Sequence, residues 1–391
     1  MKPLHVLFCI VIADLLGFGI IIPLFPYIAV RLGATPERIT PLLAVYSACQ
    51  FIAAPLWGRL SDRFGRRPIL MSSMFGAALS YVMLAFGTSM SWLLASRILG
   101  GAMAGNIAAA FAYAADVTVN ENRAKGLGLV GAAIAIGFML GPALGGVLAG
   151  PHPQAANFTL PALVAAASSS LGLLAVWLWL PESHTPDNRA RHAPVPRRRI
   201  AWDVIATRPI LARLIGAVLL ITIAQSILES IVAIWAMDQL GFGPRPVGLY
   251  LLLLGALVVA MQGGAAGQLT RRFGEKAVAV TGVVVYIAGL VALAAARDLP
   301  LLLLGGILVG LGTGAYQPSL SSLASKQAGA NERGLVMGTY QSATSLARII
   351  GPSISGALYA SIAFNAPFLA GVAVTLPALV LIAGAQPRAG S

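Results

Sequence analysis

Charge is scarce in this sequence. Only 10% of its 391 residues are Asp, Glu, Lys or Arg, where a soluble domain carries roughly a quarter. A soluble multidomain enzyme is therefore excluded, because no long polar stretch exists outside residues 181–209. Acids are scarcer still, 13 against 26 Lys and Arg, for a formal net charge of +13. Cysteine is limited to Cys9 and Cys49. Both fall in apolar runs, so no disulfide framework is implied. No His or Cys spacing has the form of a metal site. No G-x-x-x-x-G-K-S/T loop is present, which removes ATP as the driver. Excess positive charge raises nucleic acid as a partner, but the bases fall in short loops between apolar runs. Anionic lipid is their natural counter-charge.

What is abundant is apolar, at 58% of residues. A membrane span needs about 20 such residues. Twelve spans are placed near 4–29, 39–58, 68–87, 92–115, 126–149, 159–180, 210–236, 247–267, 277–296, 300–323, 335–360 and 364–384. Met1-Lys2-Pro3 leads into the first without a small-residue cleavage site, so it reads as a helix and not a cleaved signal. Twelve crossings put both ends on one side. Nineteen Lys and Arg fall in the loops assigned to that side, against four (Arg31, Arg38, Arg245, Arg297) opposite. The positive-inside rule makes both termini cytoplasmic in a bacterial-type inner membrane. The polar segment 181–209, with Pro181, Pro186, Pro194, Pro196 and Arg197-Arg198-Arg199, reads as a cytoplasmic linker and topology anchor. It separates an N-terminal six-helix bundle, 1–180, from a C-terminal one, 210–391.

The halves repeat. At an offset of 209, Gly58, Leu60, Arg63, Phe64 and Gly65 recur as Gly267, Leu269, Arg272, Phe273 and Gly274. At 210, Arg123, Gly128, Ala133, Gly141, Pro142 and Gly146 recur as Arg333, Gly338, Ala343, Gly351, Pro352 and Gly356. Two blocks in the same order at nearly one offset mark a duplicated unit. The copies differ where Asp62 becomes Arg271.

The chain is organised around Gly58–Pro68, G-R-L-S-D-R-F-G-R-R-P, expected as a charged loop between the second and third spans. Five charges there belong in water or headgroups, since each costs several kcal/mol at a bilayer centre. Gly58, Leu60, Asp62, Arg63, Gly65, Arg66 and Arg67 resemble the signature between helices two and three of the major facilitator superfamily. The resemblance implies an all-α fold of two pseudo-symmetric six-helix halves, with substrate sites near the midplane. Asp116, ending the fourth span, resembles a family position that forms a cytoplasmic charge cluster with the loop. Here the cluster is expected from Asp62, Arg66 and Asp116, as a gate.

Five charges lie inside spans: Asp14, Arg97, Arg213, Glu229 and Arg348. Asp14 sits in A-D-L-L-G-F-G-I-I-I-P, where an uncompensated carboxylate tends to take up a proton. Asp14, Gly17, Gly19 and Pro23 resemble the first-helix signature of the drug:proton antiporter branch. Arg97, in S-R-I-L-G-G, resembles the fourth-helix arginine that the superfamily links to proton coupling, and Asp14 is its candidate neighbour. An arginine near a helix end also snorkels to headgroups. Gly137, Gly141, Pro142, Gly145 and Gly146 resemble the fifth-helix antiporter motif, though small residues four apart also serve plain helix packing. Glu229, mid-span in the seventh helix, is a functional candidate by its depth. It serves substrate or proton, or pairs with Arg213 or Arg348. Arg348 is expected as a buried cation that wants a partner. Tyr46, Gln50, Gln225, Gln262, Tyr316, Gln317, Tyr340 and Gln341 supply polar groups for a central cavity.

These residues point to a proton-coupled exporter of small lipophilic, possibly cationic compounds, monomeric, with protons and lipid as partners and no cofactor. A dedicated exporter of one metabolite, such as a siderophore, sugar or lipid, fits the same scaffold. A membrane enzyme would need a clustered nucleophile or metal set, and a non-transporting receptor would need no midplane acids.

Overall fold

Apolar runs this long leave the backbone no partner in lipid but itself, so they form helices. The structure, a computed structural model, describes residues 3–118, 123–183, 208–328 and 333–385. Most of the expected linker, with its arginine run, lies outside the described residues. Among the described residues twelve helices follow one another: α1 (Pro3–Arg31), α2 (Pro36–Phe64), α3 (Arg66–Ala85), α4 (Met90–Val117), α5 (Arg123–Ala149), α6 (Thr159–Trp179), α7 (Pro209–Leu240), α8 (Pro244–Phe273), α9 (Glu275–Ala295), α10 (Leu299–Lys326), α11 (Arg333–Ser361) and α12 (Ala366–Ala383). Among the described residues, eleven are long and apolar enough to cross a membrane. The remaining one, α11, has the length but carries Thr339, Gln341, Ser342, Thr344, Ser345 and Arg348.

The segment Gly58–Pro68 is not a loop. Helix α2 runs on to Phe64 and α3 starts at Arg66, so the whole turn is Gly65 at φ 106°. Charged side chains do not stop a helix once it leaves the apolar layer; a backbone in the left-handed region does, and glycine adopts it without a Cβ penalty. Gly274, at φ 83°, makes the same turn between α8 and α9.

Two helices that read as continuous are broken. Pro23 divides α1 into Pro3–Ile21 and Leu24–Arg31. Residues Met103 to Gly105 divide α4 into Met90–Ala102 and Asn106–Val117. Freed backbone groups at that break find side-chain partners. Trp57 Nε1 donates to the Ala102 carbonyl at 2.6 Å, and Ser73 Oγ accepts from the Gly105 N–H at 3.3 Å. Helix α8 contains a π-turn at Met261–Ala265, over the pair Gly263-Gly264.

The chain divides into two compact units. The first holds α1, α2 from Val45, α3 to α6, and Gly241–Leu252 from the start of α8. The second holds Pro36–Ala44 from the start of α2, α7, the rest of α8, and α9 to α12. In the first unit α5 crosses α1 backbone to backbone: a Cβ on Gly141 would lie 2.6 Å from Gly19 Cα. Gly146 of α5 and Gly248 of α8 press on Pro244 and Pro142 in the same way. The second unit repeats both contacts one offset later. Gly351 of α11 lies against Ile223 and Ser226 of α7, and Gly356 against Pro36 and Thr40 of α2. The antiporter-motif glycines therefore sit at close helix crossings, whatever else they do.

Candidate functional site

The cluster around the Gly65 turn is built on Arg66, the first residue of α3. Its guanidinium takes Asp62 Oδ1 at 2.6 Å, one helical turn back, and Asp116 Oδ2, from the end of α4, at 3.1 Å. Arg66 Nη1 also reaches Ser61 Oγ at 3.1 Å. The expected trio is thus in contact. Its members differ in exposure: the side chains of Arg66 and Asp116 are 11% and 8% exposed, that of Asp62 71%. Arg63 is exposed and lies over the ring of Phe64.

Two residues of this cluster were hidden in the segment read as linker. Glu182 accepts from the backbone N–H groups of Arg66 and Arg67, at 2.9 and 3.1 Å. A carboxylate there answers the orphan donors and the positive end of α3. It also occupies the space a Cβ on Gly65 would need. Ser183 Oγ donates to Asp116 Oδ2 at 3.1 Å, and Tyr113 OH donates to the Pro181 carbonyl at 2.9 Å. The stretch Pro181-Glu182-Ser183 so ties the end of α6 to α3 and α4. An acid just past the last apolar residue of a span was the only sequence signal for it.

The second unit has a counterpart with the signs exchanged. Glu275, first residue of α9, pairs with Lys326 at the end of α10 at 2.8 Å and accepts from Ser322 at 2.7 Å. Positions 66 and 116 thus hold base and acid, while their repeats 275 and 326 hold acid and base. The following base behaves alike in both units. Arg67 caps the Trp177 carbonyl of α6 and Lys276 the Ala383 carbonyl of α12, each at 2.6 Å.

Deeper in the first unit, Asp14 and Arg97 are each 4% exposed. They do not pair. Asp14 accepts a hydrogen bond from Asn106 Nδ2. Asn106 opens the second segment of α4, and its Oδ1 accepts from the Ile107 N–H at 2.9 Å. The break in α4 therefore presents an amide donor to the Asp14 carboxylate. Arg97 does not snorkel. Its guanidinium lies 4.9 Å from the ring centre of Phe25 and 5.8 Å from that of Tyr46. Among the described residues it makes no ion pair, and its Nε is buried without an acceptor. Each ring face is worth about 0.5–2 kcal/mol. Desolvating a guanidinium costs about several kcal/mol, so the rings offset only part of it.

In the second unit Gln225, Glu229 and Tyr316 come together. Gln225 Nε2 donates to Glu229 Oε1 at 2.8 Å, and Tyr316 OH donates to Gln225 Oε1 at 3.2 Å. Tyr286 meets the Tyr316 ring edge-on at 5.6 Å. Gln262, in the π-turn, donates to Gln317 at 3.0 Å. Glu229 is exposed and pairs with neither arginine offered to it. Arg213 caps the Gly384 carbonyl of α12 at 2.6 Å. Arg348 is exposed and not buried, because the face it occupies on α11 turns away from the apolar packing. Tyr340 packs against Leu211, Ile215 and Val336. Gln50 is half-buried and Gln341 exposed, and neither joins these groups.

A multi-pass helical bundle with a duplicated six-helix plan, an acid and a base buried in its first unit and an ion-pair cluster at the Gly65 turn has the build of a membrane transporter. The Major Facilitator Superfamily model matches residues 7–274 and 264–390, and the chain belongs to that family. It is 32% identical over 396 residues to the class C tetracycline resistance protein of Escherichia coli, across 97% of this chain and 96% of that one. To the quinolone resistance protein NorA of Staphylococcus aureus (strain COL) it is 26% identical over 387 residues, across 97% and 96%. Among solved structures, the human organic anion transporter MFSD10 (TETRAN) matches with a TM-score of 0.72 at 25% identity, across 97% and 98%. A bacterial homologue of the lysosomal transporter Spinster gives 0.81 at 16% identity, across 98% and 97%, and shows the fold alone. The chain is a membrane transporter of small molecules, not an enzyme.

Proposed function

We propose that the chain exports lipophilic drug-like compounds from the cytoplasm in exchange for protons, by alternating access. Both termini then face the cytoplasm, and the Arg66 cluster latches that side when the other is open. The observation that carries the reading is Asp14, a buried carboxylate held by Asn106 at the break in α4. An acid so placed can bind and release a proton as its surroundings open and close. The resistance proteins for tetracycline and quinolone, similar over nearly the whole chain, support drugs as the cargo class. The exposed acid Glu229 favours cationic compounds in the second unit. One proton moving down 100 mV supplies about 2.3 kcal/mol, which sustains roughly a fortyfold gradient of a neutral substrate. The test is uptake of Hoechst 33342 into inverted vesicles. Accumulation that follows an imposed pH gradient and collapses with a protonophore supports the reading, and accumulation indifferent to both overturns it.

A further inference from the structure

We propose that Arg97 anchors an anion subsite inside the first unit, which takes the carboxylate or another acidic oxygen group of a lipophilic substrate. It deepens the export reading by naming a chemical class of cargo, and rests on that reading for its physiological role.

The acids of this unit are accounted for, and none serves Arg97. Among the described residues they are four: Asp14, held by Asn106; Asp62 and Asp116, both on Arg66; and Glu182, on the start of α3. Arg97 is a buried cation, 4% exposed, with an Nε that finds no acceptor. Its guanidinium carbon lies over the rings of Phe25 and Tyr46. The N–H donors of a guanidinium lie in its plane, along its edge. The edge is the part that matches a carboxylate bidentately. Tyr46, half-buried, gives an aromatic side to the body of a ligand whose acidic end reaches the arginine. A free inorganic anion such as chloride offers the same charge without the apolar body.

The test uses purified full-length protein in nanodiscs, with no gradient. The probes are 1-pyrenebutyrate and its methyl ester, read by quenching of tryptophan fluorescence. Wild type is expected to bind the acid about tenfold more tightly than the ester, an effect in the range of one charge-assisted pair. Arg97→Gln should bring the ratio to about one by weakening the acid alone. Arg97→Lys, which keeps charge but not the fork, should fall between. Arg213→Gln, on an arginine of the other unit, should leave the ratio as it is. Because Arg97 has no internal acid to lose, Arg97→Gln should melt no lower than wild type. A fall of more than about 5 °C would reveal a structural partner and overturn the proposal. Equal binding of acid and ester by wild type, or a preference that survives Arg97→Gln, also overturns it. So does stabilisation by potassium chloride over gluconate that needs Arg97 while acid and ester bind equally, since the anion is then inorganic. A protein that shows the preference but never pumps Hoechst 33342 keeps the subsite and loses proton-driven export. The reverse pattern removes the subsite alone.

Discussion

Asp14 of α1 accepts a hydrogen bond from Asn106, the residue that opens the second segment of α4. Both helices are broken. Pro23 ends the first part of α1, and Met103–Gly105 interrupts α4 within a span otherwise apolar enough to cross a membrane. Non-helical backbone at such depth is tolerated where side chains satisfy it. Trp57 and Ser73 do so here. The repeat of Asn106 is Tyr316, inside an unbroken α10. Among the described residues, this break and the buried acid thus belong to one half only.

The first prediction separates coupling from binding. Asp14→Asn removes the titrating group and keeps its shape. It should abolish gradient-driven uptake of Hoechst 33342 in inverted vesicles while downhill exchange persists. Asn106→Ala leaves the carboxylate but removes its donor, a charge-assisted bond worth about 1.5–3 kcal/mol. Driven uptake should fall by about tenfold with expression retained. Normal accumulation against a gradient by Asp14→Asn would make Asp14 structural and pass the proton to Glu229.

Glycine positions give a second prediction about packing. Gly141→Ala would push a methyl into the backbone of Gly19, whereas Gly131, on the same helix, has nothing within 4 Å of an added Cβ. Overpacking of this kind costs about 1–3 kcal/mol. Gly141→Ala and its repeat Gly351→Ala should both lower the melting temperature, while Gly131→Ala should leave it alone or raise it slightly. Equal effects at all three positions would mean that the tight crossings are not what these glycines serve.

Ion pairs at the Gly65 turn and at its repeat should differ in energetic weight despite their common plan. Asp116 and Arg66 are nearly buried, and removing one partner of a buried pair costs about 3–5 kcal/mol. Lys326 is 65% exposed, and an exposed pair is worth about 0–1 kcal/mol. Asp116→Asn should therefore lower thermal stability well beyond Lys326→Gln. Asp62→Asn tests function instead. Its side chain is 71% exposed, so stability should hardly change, while transport should drop if the cluster acts as a gate. Full transport by Asp62→Asn would remove the gate.

Much of this was legible because membranes separate residues so sharply. Apolar runs marked the twelve helices, and the 210-residue offset marked the repeat that the glycine contacts then reproduce. The trio Asp62, Arg66 and Asp116 followed from its motif. Other features were out of reach for physical reasons. The α4 break carries no proline, and its stability comes from Trp57 and Ser73 on other helices. Glu182 looked like the polar start of a linker, yet its partners are backbone groups 115 and 116 residues earlier. Arg97 and Arg348 looked alike as cations within apolar spans. Which of them faces inward depends on helix rotation, which the apolar residues around Arg97 do not encode.

The last prediction concerns Glu229, which lies one helical turn beyond Gln225 on α7 and shares its carboxylate with that amide. The amide in turn accepts from Tyr316 on α10. The chain of three leaves Glu229 exposed, with capacity for further donors, since a carboxylate accepts at about four lone-pair sites. A cationic substrate can take one of them and gain a charge-assisted bond; a neutral one gains only an ordinary bond, roughly half as strong. Glu229→Gln preserves the size of the side chain and loses the charge. It should weaken binding of a cation such as tetraphenylphosphonium by about tenfold and leave a neutral lipophilic dye nearly unaffected. Binding is measured on purified protein, so a coupling defect cannot produce the difference. If cation and neutral dye weaken equally, Glu229 does not select by charge, and its part is confined to coupling or to holding Gln225 and Tyr316 in place.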